Sequence, residues 1–230
     1  MRSLAVFAFR AVGTALAAVA AMLVLFAVVP LPGTAFTLRW SLTHGSAASF
    51  DWEPAERISP HLLLALVASE DQRFADHHGF DWEAIRKAAS EQEHGGRLRG
   101  ASTISQQVAK NLFLWPERTW LRKGLETVLT GMVELVWSKR RILEVYANVA
   151  EMGDGIFGAE AASEHFFHKP AASLTTEEAA LLVAVLPNPK AFKANAPSPQ
   201  VRRRQQWIVG QMAAMGGPAW LRRVGIPASR

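Results

Sequence analysis

Between Arg10 and Arg39 the chain runs for 28 residues without an acidic, basic or histidine side chain. Within that stretch, Ala11 to Val29 is apolar at every position except Gly13 and Thr14, so a helix there has no polar face. Nineteen residues of helix cover about 28 Å, close to the ~30 Å hydrocarbon core of a bilayer. Pro30 and Pro32 end the run. The pattern predicts a membrane anchor over 11–30. Residues 1–10, with Arg2 and Arg10, then stay in the cytoplasm and everything beyond is outside. A cleaved signal peptide competes, because Gly33-Thr34-Ala35 places small residues at a cleavage position, but the run exceeds the usual signal core. A buried core helix is the third reading.

Downstream, the hydrophobic spacing is helical almost throughout. Residues 31–57 read as a tether, with Pro32-Gly33, His44-Gly45-Ser46 and scattered Trp40, Phe50 and Trp52. Ser59-Pro60 is an N-cap followed by proline at the first helical position, and an apolar helix begins at His61-Leu62-Leu63. Ile104, Val108 and Leu112 recur every fourth residue. A long helix is expected from about Thr119 to Trp137, with Leu121, Leu125, Val128, Leu129, Met132 and Val136 as its apolar stripe. Ser138 caps the next helix, which carries Ile142, Val145, Tyr146 and Val149. Thr175-Thr176-Glu177-Glu178 is a capping box, and a last amphipathic helix runs from Pro199 to about Met215. No β alternation stands out. The expectation is a mostly α domain over 58–216 on a tethered anchor, with 217–230 as a tail.

Composition narrows the chemistry. Absence of cysteine excludes disulfides, thiolate zinc sites and a cysteine nucleophile. The 25 basic against 20 acidic residues give +5, but Arg2 and Arg10 are topological signals, so the exported part is nearly balanced. That balance, outside the cytoplasm, argues against nucleic acid as a partner.

Four clusters carry candidate chemistry. Glu70-Asp71 closes an apolar helix, where negative charge opposes the helix dipole and apolar neighbours favour a general base; His77, His78, Gly79 and Asp81 follow. Gly100 to Gln107 is a small-residue turn into a helix dense in hydroxyls and amides, suited to sugar or phosphate. Arg118, Arg122 and Glu126 stand at i, i+4 and i+8 on one helix face, with Lys123 alongside. Lys139-Arg140-Arg141 is a second basic group, and together the two could hold a diphosphate. Gly153-Asp154-Gly155-Ile156-Phe157-Gly158 fits G-x-G-x-x-G but follows a helical pattern and no strand, which argues against a dinucleotide site.

Taken in order, the segments resemble the signature set of the peptidoglycan glycosyltransferases, glycosyltransferase family 51. E-D-x-x-F-x-x-H-x-G is complete at Glu70, Asp71, Phe74, His77 and Gly79. G-[GA]-S-T-[IL]-[ST]-Q-Q-x-x-K-N runs from Gly100 through Lys110 and Asn111. R-K-x-x-E is Arg122, Lys123 and Glu126, and K-x-x-I-L-E-x-Y-x-N is Lys139, Ile142, Leu143, Glu144, Tyr146 and Asn148. A looser fifth segment runs from Gly155 to Phe167, with His165 in place of the usual tyrosine; Ala147 stands where leucine is common.

The resemblance covers about residues 50 to 215 and implies a lysozyme-like helical fold that polymerises lipid II into glycan strands with inversion. Lipid II and the nascent strand would be the substrates, beside partners in the cell-wall machinery, at the bacterial inner membrane. By the same resemblance Glu70 would be the general base and Glu126 the second carboxylate, orienting basic groups or holding a divalent cation (Mg or Mn); no organic cofactor is implied. Lys110, Arg118, Arg122, Lys123 and Lys139 would neutralise diphosphate, Ser102, Thr103, Gln107 and Asn111 would position sugar and phosphate, and Asp71, Phe74 and His77 would shape the site. No S-x-x-K or K-T-G motif of a transpeptidase occurs, so a single-activity form is expected. The alternatives are a lytic transglycosylase or muramidase, which has no use for a diphosphate site, and an inactive membrane-anchored scaffold.

Overall fold

Seven consecutive side chains, Leu62 to Ala68, are wholly inaccessible to solvent in the computed structural model, which describes residues 2–93 and 102–227. They belong to α3 (Pro60–Glu70), a helix apolar on every face and therefore central. Ser59 starts it as expected: its hydroxyl accepts from the His61 N–H and donates to the Leu174 carbonyl, 2.8 Å away. Around α3 pack α7 (Lys139–Val149), α9 (Thr176–Ala184), α10 (Pro199–Ala214) and a 3-10 helix over Gly217–Val224. That last element buries Trp220, Leu221 and Val224, so the segment read as a tail contributes to the core.

A second layer stacks α5 (Ile104–Phe113) against α6 (Trp120–Val136) and α7. The helices α4 (Trp82–Glu93) and α8 (Ala159–Phe167) follow α3 and α7 along the chain. Asp81 starts α4 by accepting from the Glu83 and Ala84 N–H groups.

The stripe expected to bury α6 is divided. Leu129 is buried, but Leu121, Leu125 and Val128 are 68%, 40% and 53% exposed. The helix turns Arg122, Glu126, Thr130 and Val133 inward instead, because the Arg122–Glu126 pair satisfies its own charge and can be covered.

Three short strands were not expected. β1 (Ser49–Phe50) pairs in parallel with β3 (Ile156–Phe157), which pairs antiparallel with β2 (Glu151–Gly153), in the order β1-β3-β2. At two or three residues they are too short to show alternation. They also overturn the view that no strand accompanies the glycine-rich segment: Gly155 turns the β2–β3 hairpin with φ +73°. Gly158, at φ +90°, caps α8 where a Cβ would lie 2.5 Å from the Asn148 carbonyl. Packing accounts for both glycines, and the turn between β2 and β3 leads into an antiparallel hairpin, not the strand-to-helix turn that seats a dinucleotide.

Residues 31–57, expected as a tether, carry α2 (Ala35–His44), β1 and a 3-10 turn at Ala55–Arg57. Thr34 and Thr37 form a buried capping box at the start of α2, which rests on α5. Before it lies α1 (Arg2–Leu25), which packs on α6. The carbonyls at its end are bound by the domain: Trp137 Nε1 donates to Leu23 O at 2.7 Å, and Arg141 donates from Nε to Phe26 O and from Nη2 to Val29 O. Among the described residues no helix is long and apolar enough to cross a membrane. The expected anchor is therefore carried by the sequence pattern and not by the structure.

Candidate active site

Glu70 is the last residue of α3, and its neighbour Asp71 joins three segments at that point. The Asp71 carboxylate accepts from the Ile104 N–H at the start of α5 (3.0 Å) and lies 2.9 and 3.1 Å from His77 Nε2. An anion at a helix N-terminus is favourable, so Asp71 brings the start of α5 to the end of α3. Phe74 packs underneath with no exposure, and His77 is buried. These residues build the floor of the site.

Both Glu70 oxygens are held. Oε1 accepts from Ser69 Oγ at 3.0 Å and from Arg204 Nη2 of α10 at 3.3 Å. Oε2 accepts from Gln107 Nε2 of α5 at 3.1 Å. The hydroxyl of Tyr146 on α7 donates to Gln107 Oε1 at 2.9 Å and so keeps the amide NH2 turned toward Glu70. Burial, reinforced by the negative charge of Glu70 and Asp71, pushes the Tyr146 hydroxyl well above its ordinary range, so it stays a neutral donor.

Glu70 opens into a cleft of about 1050 Å³ whose walls include Ser102, Gln107, Lys110, Asn111 and Arg118 on one side and Arg203, Arg204 and Trp207 on the other. Burial lowers the Lys110 pKa, Glu126 opposes that shift, and Arg122, Lys123 and Arg118 add to it. A desolvated ammonium among other cations is stabilised by an incoming anion. A second hollow, of about 640 Å³, lies at the opposite end of α3, but no Lys or Arg lines it.

Glu126 is buried at the centre of a charge cluster, with one oxygen on Arg122 Nη1 and the other on Lys123 Nζ. Arg122 also donates from Nε to the Glu117 carbonyl at 2.9 Å. With both carboxylate oxygens engaged by cations, Glu126 does not fit a metal ion. No group of three His, Asp or Glu side chains among the described residues does either.

Several expected positions fall elsewhere. Arg118 precedes the Thr119 N-cap of α6, so it shares no helix face with Arg122 and Glu126 and reaches the cleft from the loop. Thr103 is buried as the N-cap of α5, its hydroxyl donating to the Gly79 carbonyl at 2.6 Å, which leaves the exposed Ser102 as the hydroxyl facing the cleft. Lys139 points away: its Nζ pairs with Glu134 at 2.7 Å and lies 4.6 Å from the centre of the Phe74 ring. Arg140 pairs with Glu56, and Arg141 holds Glu144 and the end of α1. The second basic group is thus used in packing. Gly100 and Ala101 lie outside the described residues.

Sequence reasoning missed Arg204, whose helix shows only amphipathic spacing and a run of arginines. It also missed Glu151, a cleft residue whose pKa burial raises against a hydrogen bond from the Gly155 N–H.

Residues 39–213 match the family model described as Transglycosylase. The chain is 54% identical over 206 residues to the biosynthetic peptidoglycan transglycosylase of Citrobacter koseri, covering 86% of this chain and 85% of that protein. It is 52% identical over 220 residues to the protein of the same name from Cronobacter sakazakii (93% and 91% covered). The Mannheimia succiniciproducens protein, again so named, is 52% identical over 202 residues (85% and 83%).

Proposed function

The chain belongs to the transglycosylase family, and on that footing we propose that it polymerises peptidoglycan glycan strands from lipid II. The observation that carries the reading is the Glu70 carboxylate in a cleft whose wall also holds Lys110 and Arg118. A glycan-cleaving enzyme needs the carboxylate and has no use for the cations; transfer from a lipid diphosphate needs both.

In the proposed reaction the sugar 4-hydroxyl of the incoming lipid II is the acceptor. Its O–H bond breaks, the proton passes to Glu70, and the oxygen attacks the anomeric carbon of the growing chain from the face opposite the leaving group. The bond to undecaprenyl diphosphate breaks with inversion, following the logic of inverting glycosidases with a hydroxyl in place of water. Lys110 and Arg118 neutralise the diphosphate as its charge develops, and Arg122 and Lys123 add to the field from behind. Glu126 acts by holding those two cations in place, and no step runs through a metal.

The proposal includes the membrane. The uncharged run of 28 residues supports α1 as an anchor, and its side chains at Phe7, Phe9, Val24 and Leu25 are exposed. Trp120, Leu121 and Leu135 on α6, with Leu38 and Leu42 on α2, add an exposed apolar surface on the domain that suits the interface where a lipid-linked substrate resides. Cell-wall machinery proteins are proposed partners on the strength of the activity alone.

The test is polymerisation of lipid II by the detergent-solubilised full chain. Lysozyme-sensitive polymer is the expected product, and Glu70→Gln is expected to lose at least about 100-fold in kcat with its melting temperature retained. A fully active Glu70→Gln protein would remove the base.

A further inference from the structure

We propose that Arg204, on a helix outside every sequence motif described above, is the positioning residue that sets the Glu70 carboxylate for proton abstraction. The inference deepens the reading of Glu70 as the base and rests on it.

Glu70 ends its helix, where the backbone gives its side chain least support. Two arms restrain the carboxylate from opposite sides. Gln107, itself set by Tyr146, takes Oε2, while Arg204 takes Oε1 and also donates to Ser69 Oγ at 2.9 Å. The guanidinium therefore bridges the last two residues of α3 through a single nitrogen. Its Nε is buried without an acceptor among the described residues, while Nη2 makes both contacts with the end of α3. Since α10 packs on α3, the guanidinium is delivered by a helix and not by a loop.

Fixing Oε1 in this way leaves Oε2, bonded only to a neutral amide, as the more basic oxygen. Arg203 and Lys110 also line the cleft, and without Arg204 only Ser69 and Gln107 hold the carboxylate against a swing toward either cation. A misplacement of about 1 Å at a reacting group costs on the order of 100-fold in rate.

The groups facing Glu70 are Arg204 from α10, Tyr146 from α7 and Asp71 beside it, with Lys110 and Arg203 on the cleft walls.

The experiment compares Arg204→Gln, Arg204→Lys and Arg202→Gln in the full chain with lipid II, beside Glu70→Gln. Arg204→Gln is expected to lose roughly 10–100-fold in kcat with KM changed less than about 3-fold. Arg204→Lys, which keeps the charge with a shorter reach, should restore part of kcat. Arg202, exposed on another face of α10, should be silent. An Arg204→Gln protein with wild-type kcat overturns the inference while an inactive Glu70→Gln leaves the base standing. So does a rate loss in both Arg204 variants that follows only the fraction unfolded. An active Glu70→Gln removes the base and the inference together.

Discussion

Tyr146 is the single tyrosine of the chain, which turns a structural detail into a spectroscopic probe. Burial raises its folded pKa above an unfolded value of about 10. The neutral hydroxyl therefore contributes stability that is present below that unfolded pKa and is lost as pH rises toward the folded one. Tyrosinate absorbance should appear only above about pH 10 and together with unfolding, and Tyr146→Phe should flatten the alkaline fall of the melting temperature. Glu70→Gln, by removing a negative charge from its surroundings, should lower the titration. Tyrosinate forming near pH 10 in an intact fold would contradict the burial. At this scale the sequence exposed residue types more reliably than their directions. Glu70, Gln107, Lys110 and Asn111 reach one cleft, as their shared motifs suggest. Lys139 does not, because its choice between a diphosphate and Glu134 depends on the approach of α6 to α7, and no local spacing encodes that approach. Arg204 was illegible for the same reason: its partner lies 134 positions away.

Helices were the legible elements. Their caps are local signals, and Ser59, Thr175 and Ser198 each act as such. The orientation of α6 was misread because its outward apolar residues look like a core stripe until the inward Arg122–Glu126 pair is known. The strands were hidden because each consists of two or three residues given meaning by its partners. Glycines divide along the same line. At Gly158, alanine meets the Asn148 carbonyl in a left-handed conformation, and backbone strain alone costs roughly 1–3 kcal/mol. At Gly210, inside α10 with nothing within 4 Å of a new Cβ, alanine should stabilise by about 0.5–1 kcal/mol. Denaturant unfolding of Gly158→Ala and Gly210→Ala should move in opposite directions; a shift of both the same way would show that the local geometry is misjudged.

Across the whole molecule, the join between α1 and the domain is the feature that no pattern announced. Trp137 and Arg141 bind carbonyls at and just beyond the end of α1, and Leu31 is buried before α2 begins, so little slack remains. Arg141→Gln should raise amide exchange across residues 26–34 by about 10-fold while leaving α3 protected. An equal rise in both would mean that the arginine supports the whole domain and not the join. On the membrane-mounted reading proposed above, a join without slack makes the enzyme a caliper. Its cleft meets bonds at one height above the bilayer, and a strand of chemically identical linkages offers only its lipid-borne end at that height. The choice of which bond to act on would then be made by elevation, before any sugar is recognised.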